Sequence, residues 1–245
     1  MRVAELHLAA SAAVLGALEL FYADVLELTR LRVDATVAAG PSRLSWRAAD
    51  RDRQPFYHFA LLVPGHRFDA AHAWLAERVE LLALDGDPVV AFPDWNARAL
   101  YFHDPAGSIV EFIAHRGIEG EGPADGPFTP RELLGVSEMG IVVDDKRSAA
   151  EALHTTMDID LWSGRADAAS LDDPHRLAFL GRKAHTLILA APGRGWLPTG
   201  RPAETHPAHI VLAGAAGGGS VTLAGGIVVR AAQNILSQRL SLLET

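Results

Sequence analysis

Three polar residues stand alone among apolar neighbours in strand-like segments of this chain. They are His7, His58 and Glu111, each inside a short run of aliphatic and aromatic residues. Burying a charged or unpaired polar group in such surroundings costs on the order of several kcal/mol of folding free energy, unless a partner neutralises it. Imidazoles and carboxylates are ligands that divalent metals use in proteins. The residue types therefore predict one metal site formed by His7, His58 and Glu111.

Glu111 follows a reverse turn whose residues are suited to that role. Pro105 and Gly107, in Asp104-Pro-Ala-Gly, supply the fixed and the permissive backbone angles that a tight turn needs. The turn predicts a hairpin with strands at 98–103 and 108–114, and Tyr101 lies on its first strand, ten residues before Glu111. A phenol at this place can donate a hydrogen bond to a ligand oxygen without ionising. Tyr101 is therefore a candidate donor at this site, and its catalytic role is what the family resemblance described below implies.

The elements that must position these residues repeat along the chain. A strand at 3–10, a helix at 12–26 and extended runs at 31–38 and 42–49 are followed by the same order from residue 56 onward. Tandem strand-helix-strand-strand-strand units predict an α+β fold built on a cupped, curved mixed sheet. The second unit adds a strand at 56–63 and a helix at 68–79.

The second part of the chain contains two further units. Residues 116–130 are rich in glycine and proline, which is typical of a linker. We therefore expect an N-terminal pair of units at 1–117, a linker at 118–131 and a C-terminal pair at 132–245. The fourth unit is degraded, because the glycine-rich residues 214–220 replace its helix. A terminal helix is predicted near 231–243.

Composition excludes several classes of protein. The 245 residues carry a net charge of −8 without a basic stripe, which argues against a nucleic-acid partner. The absence of cysteine excludes disulfides and thiolate chemistry, and is compatible with the cytoplasmic location that we expect. No apolar run is long enough to span a membrane, so no membrane partner is expected.

The order of units and motifs resembles the vicinal oxygen chelate superfamily, which contains glyoxalases, bleomycin-resistance proteins and extradiol dioxygenases. The resemblance is carried by His7 and His58 on the opening strands, by the pair Phe21-Tyr22 near the end of the first helix, and by the turn before Glu111. It covers the first 115 residues well, residues 134–200 moderately and the remainder weakly. It implies that two units form one cupped site with His7, His58 and Glu111 as metal ligands, and that Tyr101 contacts substrate oxygen.

Two positions depart from the family pattern. Ser45 stands where glyoxalase-type members have a further carboxylate ligand, and this departure counts against a glyoxalase I reaction. Glu138 stands where the third unit would carry a histidine. Glu138 and His209 could form a second site, although a structural role for them is favoured.

The resemblance implies a metal-dependent enzyme, and the favoured reaction is extradiol ring cleavage of a small oxygen-bearing molecule with Fe2+ or Mn2+. An isomerase, lyase or thiol transferase of the glyoxalase or fosfomycin-resistance type, with Zn2+ or Ni2+ also possible, is the alternative. A second alternative is a bleomycin-resistance-type protein that binds a small molecule without catalysis. The expected partner is a small-molecule substrate, and a homodimer is possible.

Overall fold

The computed structural model describes residues 1–31, 36–50, 53–120, 125–162 and 168–232. The predicted terminal helix near 231–243 lies almost entirely outside these residues, as do parts of the predicted run at 31–38 and of the linker. No helix among the described residues is both long and apolar enough to cross a membrane.

The first two units follow the predicted order of elements. Unit 1 consists of β1 (Arg2–Ala10), α1 (Leu15–Leu20), β2 (Thr29–Arg30), β3 (Thr36–Ala39) and β4 (Ser42–Ala48). Unit 2 consists of β5 (His58–Val63), α2 (Phe68–Ala76), β6 (Val90–Phe92), β7 (Ala97–His103) and β8 (Ile109–His115). In both units, α1 or α2 follows the opening strand and the last strand returns parallel to it.

The last two units are less regular. Unit 3 consists of β9 (Val136–Val142), α3 (Lys146–Met157), β10 (Ala178–Arg182) and β11 (His185–Ala190). A small hairpin of β12 (Gly195–Trp196) and β13 (Arg201–Pro202) precedes unit 4, which consists of β14 (Ala208–Ala213), β15 (Ser220–Leu223) and β16 (Ile227–Ala231). Residues 214–219 contain no helix, which confirms the predicted degradation of the fourth unit.

The described strands form one 14-stranded mixed sheet with two halves of equivalent arrangement, in addition to the separate β12–β13 hairpin. We call β10-β11-β9-β5-β8-β7-β6 the inner half and β2-β3-β4-β1-β14-β16-β15 the outer half. At the centre of each half, two opening strands run antiparallel, and each is flanked by a parallel strand of its own unit. The halves meet where β1 pairs with β9 at Val3 and Val136. The predicted α+β fold of tandem units on a curved mixed sheet is confirmed.

The pairing of units differs from the sequence prediction. Unit 2 pairs with unit 3, and unit 1 pairs with unit 4, so the expected pairing of consecutive units is corrected. The physical reason is that every opening strand offers the same unpaired edge of N–H and C=O groups, which any other opening strand can satisfy. The repeat therefore predicts that the units pair, and it leaves open which unit pairs with which.

The hydrophobic core lies between the helices and one face of the sheet. Leu6 and Leu8 of β1 and Phe59 and Leu61 of β5 are fully buried on this face. Because successive strand residues face opposite sides, His7 and His58 point away from the helices, onto the concave face. A buried hydrogen bond joins Tyr22, which follows α1, to Asp104 in the turn between β7 and β8.

Asp104 organises this turn through both carboxylate oxygens. Its Oδ1 accepts hydrogen bonds from the backbone N–H groups of Ala106 (2.9 Å) and Ser108 (2.8 Å), and its Oδ2 accepts one from the Tyr22 hydroxyl (3.0 Å). Gly107, with φ of 77°, closes the turn in the left-handed region that favours glycine. Burial raises the pKa of Asp104 to about 6, and its hydrogen bonds act in the opposite direction.

The raised pKa of Asp104 predicts a pH-dependent contribution to stability. The folded protein binds the proton more tightly than the unfolded chain, whose carboxyl has an ordinary pKa of 3.8, so this contribution is fully present below that pH and is lost as the pH rises toward 6. Asp104→Asn keeps an acceptor oxygen and removes the titration. We expect its free energy of unfolding, relative to the unmodified protein, to increase between about pH 4 and pH 6 and to stay level above that. Urea unfolding at several pH values measures this difference, and two parallel curves would contradict the assignment.

Candidate metal centre

Three polar side chains from adjacent strands converge on the concave face of the inner half. They are His58 of β5, Glu111 of β8 and Glu138 of β9, and one ligand atom from each lies within 4.8 Å of the others. We call these residues the ligand triad. Register explains the convergence, because Ala60 is paired with Glu111 on one side and with Glu138 on the other. The small side chain of Ala60 leaves the space between the two carboxyl groups open.

All three members of the ligand triad are withdrawn from solvent. The exposed fractions are 7% for His58, 2% for Glu111 and 3% for Glu138. The charged forms of these groups lose most of their hydration at such depth, which makes their mutual distances decisive for their chemistry.

His58 is oriented by one hydrogen bond. Its Nδ1 lies 3.1 Å from the carbonyl oxygen of Ile109, and since a carbonyl only accepts, Nδ1 carries the proton. Nε2 then presents its lone pair and lies 3.5 Å from Oε2 of Glu111. Burial lowers the pKa of His58 to about 4, with the nearby Arg194 charge acting in the same direction. The imidazole ring is therefore uncharged at ordinary pH. Its hydrogen bond holds it in the tautomer that leaves the Nε2 lone pair free to bind a metal.

Glu111 shares the apolar site with a second carboxyl group. Its pKa is raised well above the ordinary value by burial and then by the charge of Glu138, while hydrogen bonding with Tyr101 acts in the opposite direction. Two ionised carboxylates with a neutral imidazole place two negative charges in a medium that solvates charge poorly. A proton shared between them, or a divalent cation, relieves this repulsion.

The residues present fit a divalent metal. Two carboxylates cancel the charge of such an ion, and one neutral nitrogen completes a mixed N,O donor set suited to Mn2+, Fe2+ or Zn2+. Three protein ligands leave further coordination positions open toward the cavity. This set is richer in oxygen than the two histidines and one carboxylate that the sequence predicted, because a second glutamate takes the place of the second histidine.

Tyr101 lies beside the ligand triad, as the hairpin predicts. It is paired directly with Glu111 across β7 and β8, and its ring stacks near that of His58 with centroids 6.3 Å apart. The side chain is buried, and burial followed by the charge of Glu111 raises the pKa of Tyr101 well above its usual range. Its hydroxyl therefore remains protonated, and in this structure it is hydrogen-bonded with Glu111.

The structure places His7 in the other half of the sheet, which corrects its predicted place beside His58 and Glu111. Strand β9 lies between β1 and β5, and it carries Glu138 into the space that His7 was expected to fill. His7 instead contacts Ser45 through Nδ1 (2.7 Å) and Glu5 through Nε2 (3.0 Å).

His209 is the direct cross-strand partner of His7, with ring centroids 5.4 Å apart. The second site that the sequence allowed for Glu138 and His209 is not formed, since the two residues lie in different halves. Glu138 itself is the residue that sequence reasoning undervalued. The signal for it was the same as for Glu111, a single carboxylate in an apolar strand, here Val136–Val142.

The ligand triad lines a small cleft with a cavity volume of about 60 Å³. Aromatic residues make much of its wall, and Arg194 contributes a positive charge. The lining residues beyond the triad and Tyr101 are Phe92, Trp95, Ile113, Leu177, Phe179, Ile188, Arg194, Trp196 and Leu197. Concave, largely apolar surroundings with a few convergent polar groups are typical of small-molecule sites.

The fold is shared with solved structures that are named as a dioxygenase and a glyoxalase, which is the fold that the sequence resemblance predicted. A "putative dioxygenase" from Bacillus subtilis is 14% identical and matches 94% of this chain and 84% of its own, with a TM-score of 0.56. The V278E mutant of glyoxalase I from Zea mays is 13% identical and matches 99% of this chain and 95% of its own, with a TM-score of 0.55. No protein-family model and no curated protein matches the sequence. These likenesses establish the fold, and function must be argued from the site.

The geometry predicts which residues hold a metal. Glu138→Gln keeps the size of the side chain and removes its charge, so we expect the affinity for Mn2+ to fall by about a hundredfold or more, since losing even an outer partner of a ligand costs ten- to hundredfold. His7→Ala is the matched control from the outer half and should leave the affinity unchanged. Isothermal titration with Mn2+ measures both variants, with circular dichroism to confirm folding. Weakening by His7→Ala, or none by Glu138→Gln, would favour the set predicted from sequence.

Proposed function

We propose that this protein is a divalent-metal-dependent enzyme that acts on a small aromatic molecule bearing adjacent oxygen atoms, and that its reaction is dioxygen-dependent ring cleavage of an aromatic diol. The observation that supports the proposal most is the ligand triad at the floor of an aromatic-walled cleft. Fe2+ or Mn2+ is the favoured metal, and Zn2+ or Ni2+ is the alternative. When bound, such a metal supplies the positive charge that collects and polarises substrate oxygens.

The residues of the chain have separate tasks in this proposal. His58, which is oriented by the Ile109 carbonyl, and the two glutamates would hold the metal. The aromatic walls take up a flat ring and exclude water, which strengthens the polar interactions at the floor. Tyr101 remains a neutral donor, because its pKa is raised by burial, and it donates a hydrogen bond to a substrate oxygen.

A second reaction class is supported by the pair of glutamates. Glu111 and Glu138 lie close enough that the charge of Glu138 raises the pKa of Glu111. A carboxyl whose pKa is raised accepts a proton more readily than an ordinary carboxyl and can return it, and an isomerase of the glyoxalase type requires such proton transfer. In that case the metal acts only as a Lewis acid and no dioxygen is consumed.

The two reaction classes are separated by substrate and by oxygen use. Protein reconstituted with Fe2+ without air should, on admission of air, convert members of a catechol panel to yellow ring-opened products with one O2 consumed per product. A protein that is inert to every catechol but isomerises the adduct of an oxoaldehyde and a thiol would instead support the glyoxalase-type reaction. If the purified protein takes up no metal and still binds aromatic ligands, both metal-dependent reactions would be contradicted.

Tyr101 provides a graded test of the proposed chemistry. Tyr101→Phe removes only the hydroxyl, and we expect kcat/KM to fall by about ten- to hundredfold, the value of a hydrogen bond to a charged or strongly polarised oxygen. Affinity for Mn2+ should remain unchanged, since the hydroxyl is not assigned as a ligand. His7→Ala serves again as the control and should keep full activity. Unaltered kcat/KM in Tyr101→Phe would remove the tyrosine from the mechanism.

A further inference from the structure

The cleft of the inner half contains one fixed positive charge. Arg194 is the one lysine or arginine among the described residues that line it, and His58 is neutral. Arg194 lies between β11 and β12, outside the three strands that carry the ligand triad, and it lines the same cleft.

The backbone of Arg194 is held on both sides. Its N–H donates to the carbonyl of Ala191 (3.2 Å), and its carbonyl accepts from the N–H of Ala203 (2.8 Å). The guanidinium carbon lies 5.9 Å from the centre of the Trp196 ring, which forms part of the same wall. The position of the side chain is therefore set by a braced turn and an aromatic neighbour, which favours a defined contact with a ligand.

The guanidinium lacks a protein counter-charge within the part of the chain that the structure describes. No hydrogen bond or ion pair of its nitrogen atoms occurs among those residues, although the side chain is half-buried. Burial lowers the pKa of Arg194, and the Tyr101 hydroxyl acts in the opposite direction. A partly desolvated cation without a partner is costly, and an anionic ligand that enters the cleft recovers that cost.

The charge of Arg194 acts at one side of the cleft. It lowers the pKa of His58 and of Tyr101, whereas the influences on Glu111 are burial, Glu138 and Tyr101. Glu111 therefore does not compete with a ligand for the positive charge of Arg194. A ligand can place its oxygens at the floor and a negative group at Arg194 without bringing like charges together.

The shape of the wall selects the part of the ligand between these ends. Trp95 and Phe179 meet edge to face with centroids 4.6 Å apart, and Trp196 lies with its centroid 4.8 Å from that of His58. Several aromatic side chains in the lining suit a planar ring, which gains contact with them.

We propose that the cleft binds an aromatic acid, a single ring whose carboxylate or similar anionic substituent is held by Arg194 while its adjacent oxygens face the ligand triad. The placement of the ligand's adjacent oxygens at the triad rests on the proposed function. The placement of its anionic group rests on Arg194 alone. Arg194 is accordingly a specificity-determining residue, since a guanidinium matches the two oxygens of a carboxylate with paired donors.

Isothermal titration with two nearly identical probes tests the proposal. 3,4-Dihydroxybenzoate carries the negative charge, and 3,4-dihydroxybenzamide is its neutral counterpart. In Zn2+-loaded protein, which cannot turn either probe over by redox chemistry, we expect the acid to bind about tenfold or more tightly than the amide. Arg194→Gln should reduce this preference to about twofold or less, and Arg194→Lys should retain part of it. Arg43→Gln, an exposed arginine of the outer half, is the matched control and should keep the full preference.

The results also separate this proposal from the proposed function. Equal binding of acid and amide by the unmodified protein, binding of neither probe, or an undiminished preference in Arg194→Gln would overturn the assignment of Arg194. Repeating the titration with metal-free protein and with Glu138→Gln tests independently whether the ligand triad and its metal contact the adjacent oxygens of the probe. If the protein prefers the acid but binds no metal, the role of Arg194 in holding the carboxylate would be supported and the proposed metal-dependent reaction would be contradicted.

Discussion

Two carboxyl groups and one imidazole share a small apolar space between β5, β8 and β9, and this arrangement determines most of what surrounds it. Electrostatic repulsion between Glu111 and Glu138 must be relieved in the folded protein, either by a shared proton or by a cation. The neighbouring groups are consistent with that demand. Ile109 fixes the His58 tautomer, Ala60 leaves room between the carboxyl groups, and Tyr101 offers a proton that burial prevents it from losing.

Much of the fold could be predicted from the chain because its signals are local. Alternating strands, the turn at Asp104–Gly107 and the repeated order of elements each depend on near neighbours in sequence, and the structure confirms the strands that carry His58 and Glu111. The pairing of units could not be predicted in the same way. It depends on which opening strands meet at a distance, and all four units offer an equivalent edge.

The candidate site could be predicted only in part, because local signals place some of its ligands and strand pairing at a distance places the other. His58 and Glu111 belong to one unit, so their proximity follows from the parallel pairing of β5 and β8. The third ligand comes from whichever unit lies alongside β5, and the strand order makes this Glu138 instead of His7. The outer half shows the outcome of the same architecture with other residues, because His7 and His209 occupy its central pair and Ser45 takes the place that corresponds to Glu111.

The cleft and its ligand triad come from one uninterrupted stretch of the chain, from His58 to Leu197, while the outer half is assembled from residues on both sides of that stretch. Pairing of the middle units thus makes the site a contiguous cassette within the gene. Exchange of this one segment would replace every cleft residue together and leave the flanking framework intact. The Val3–Val136 strand pairing and the hydrogen bond from Tyr22 to Asp104 are among the contacts that such an exchange would have to preserve.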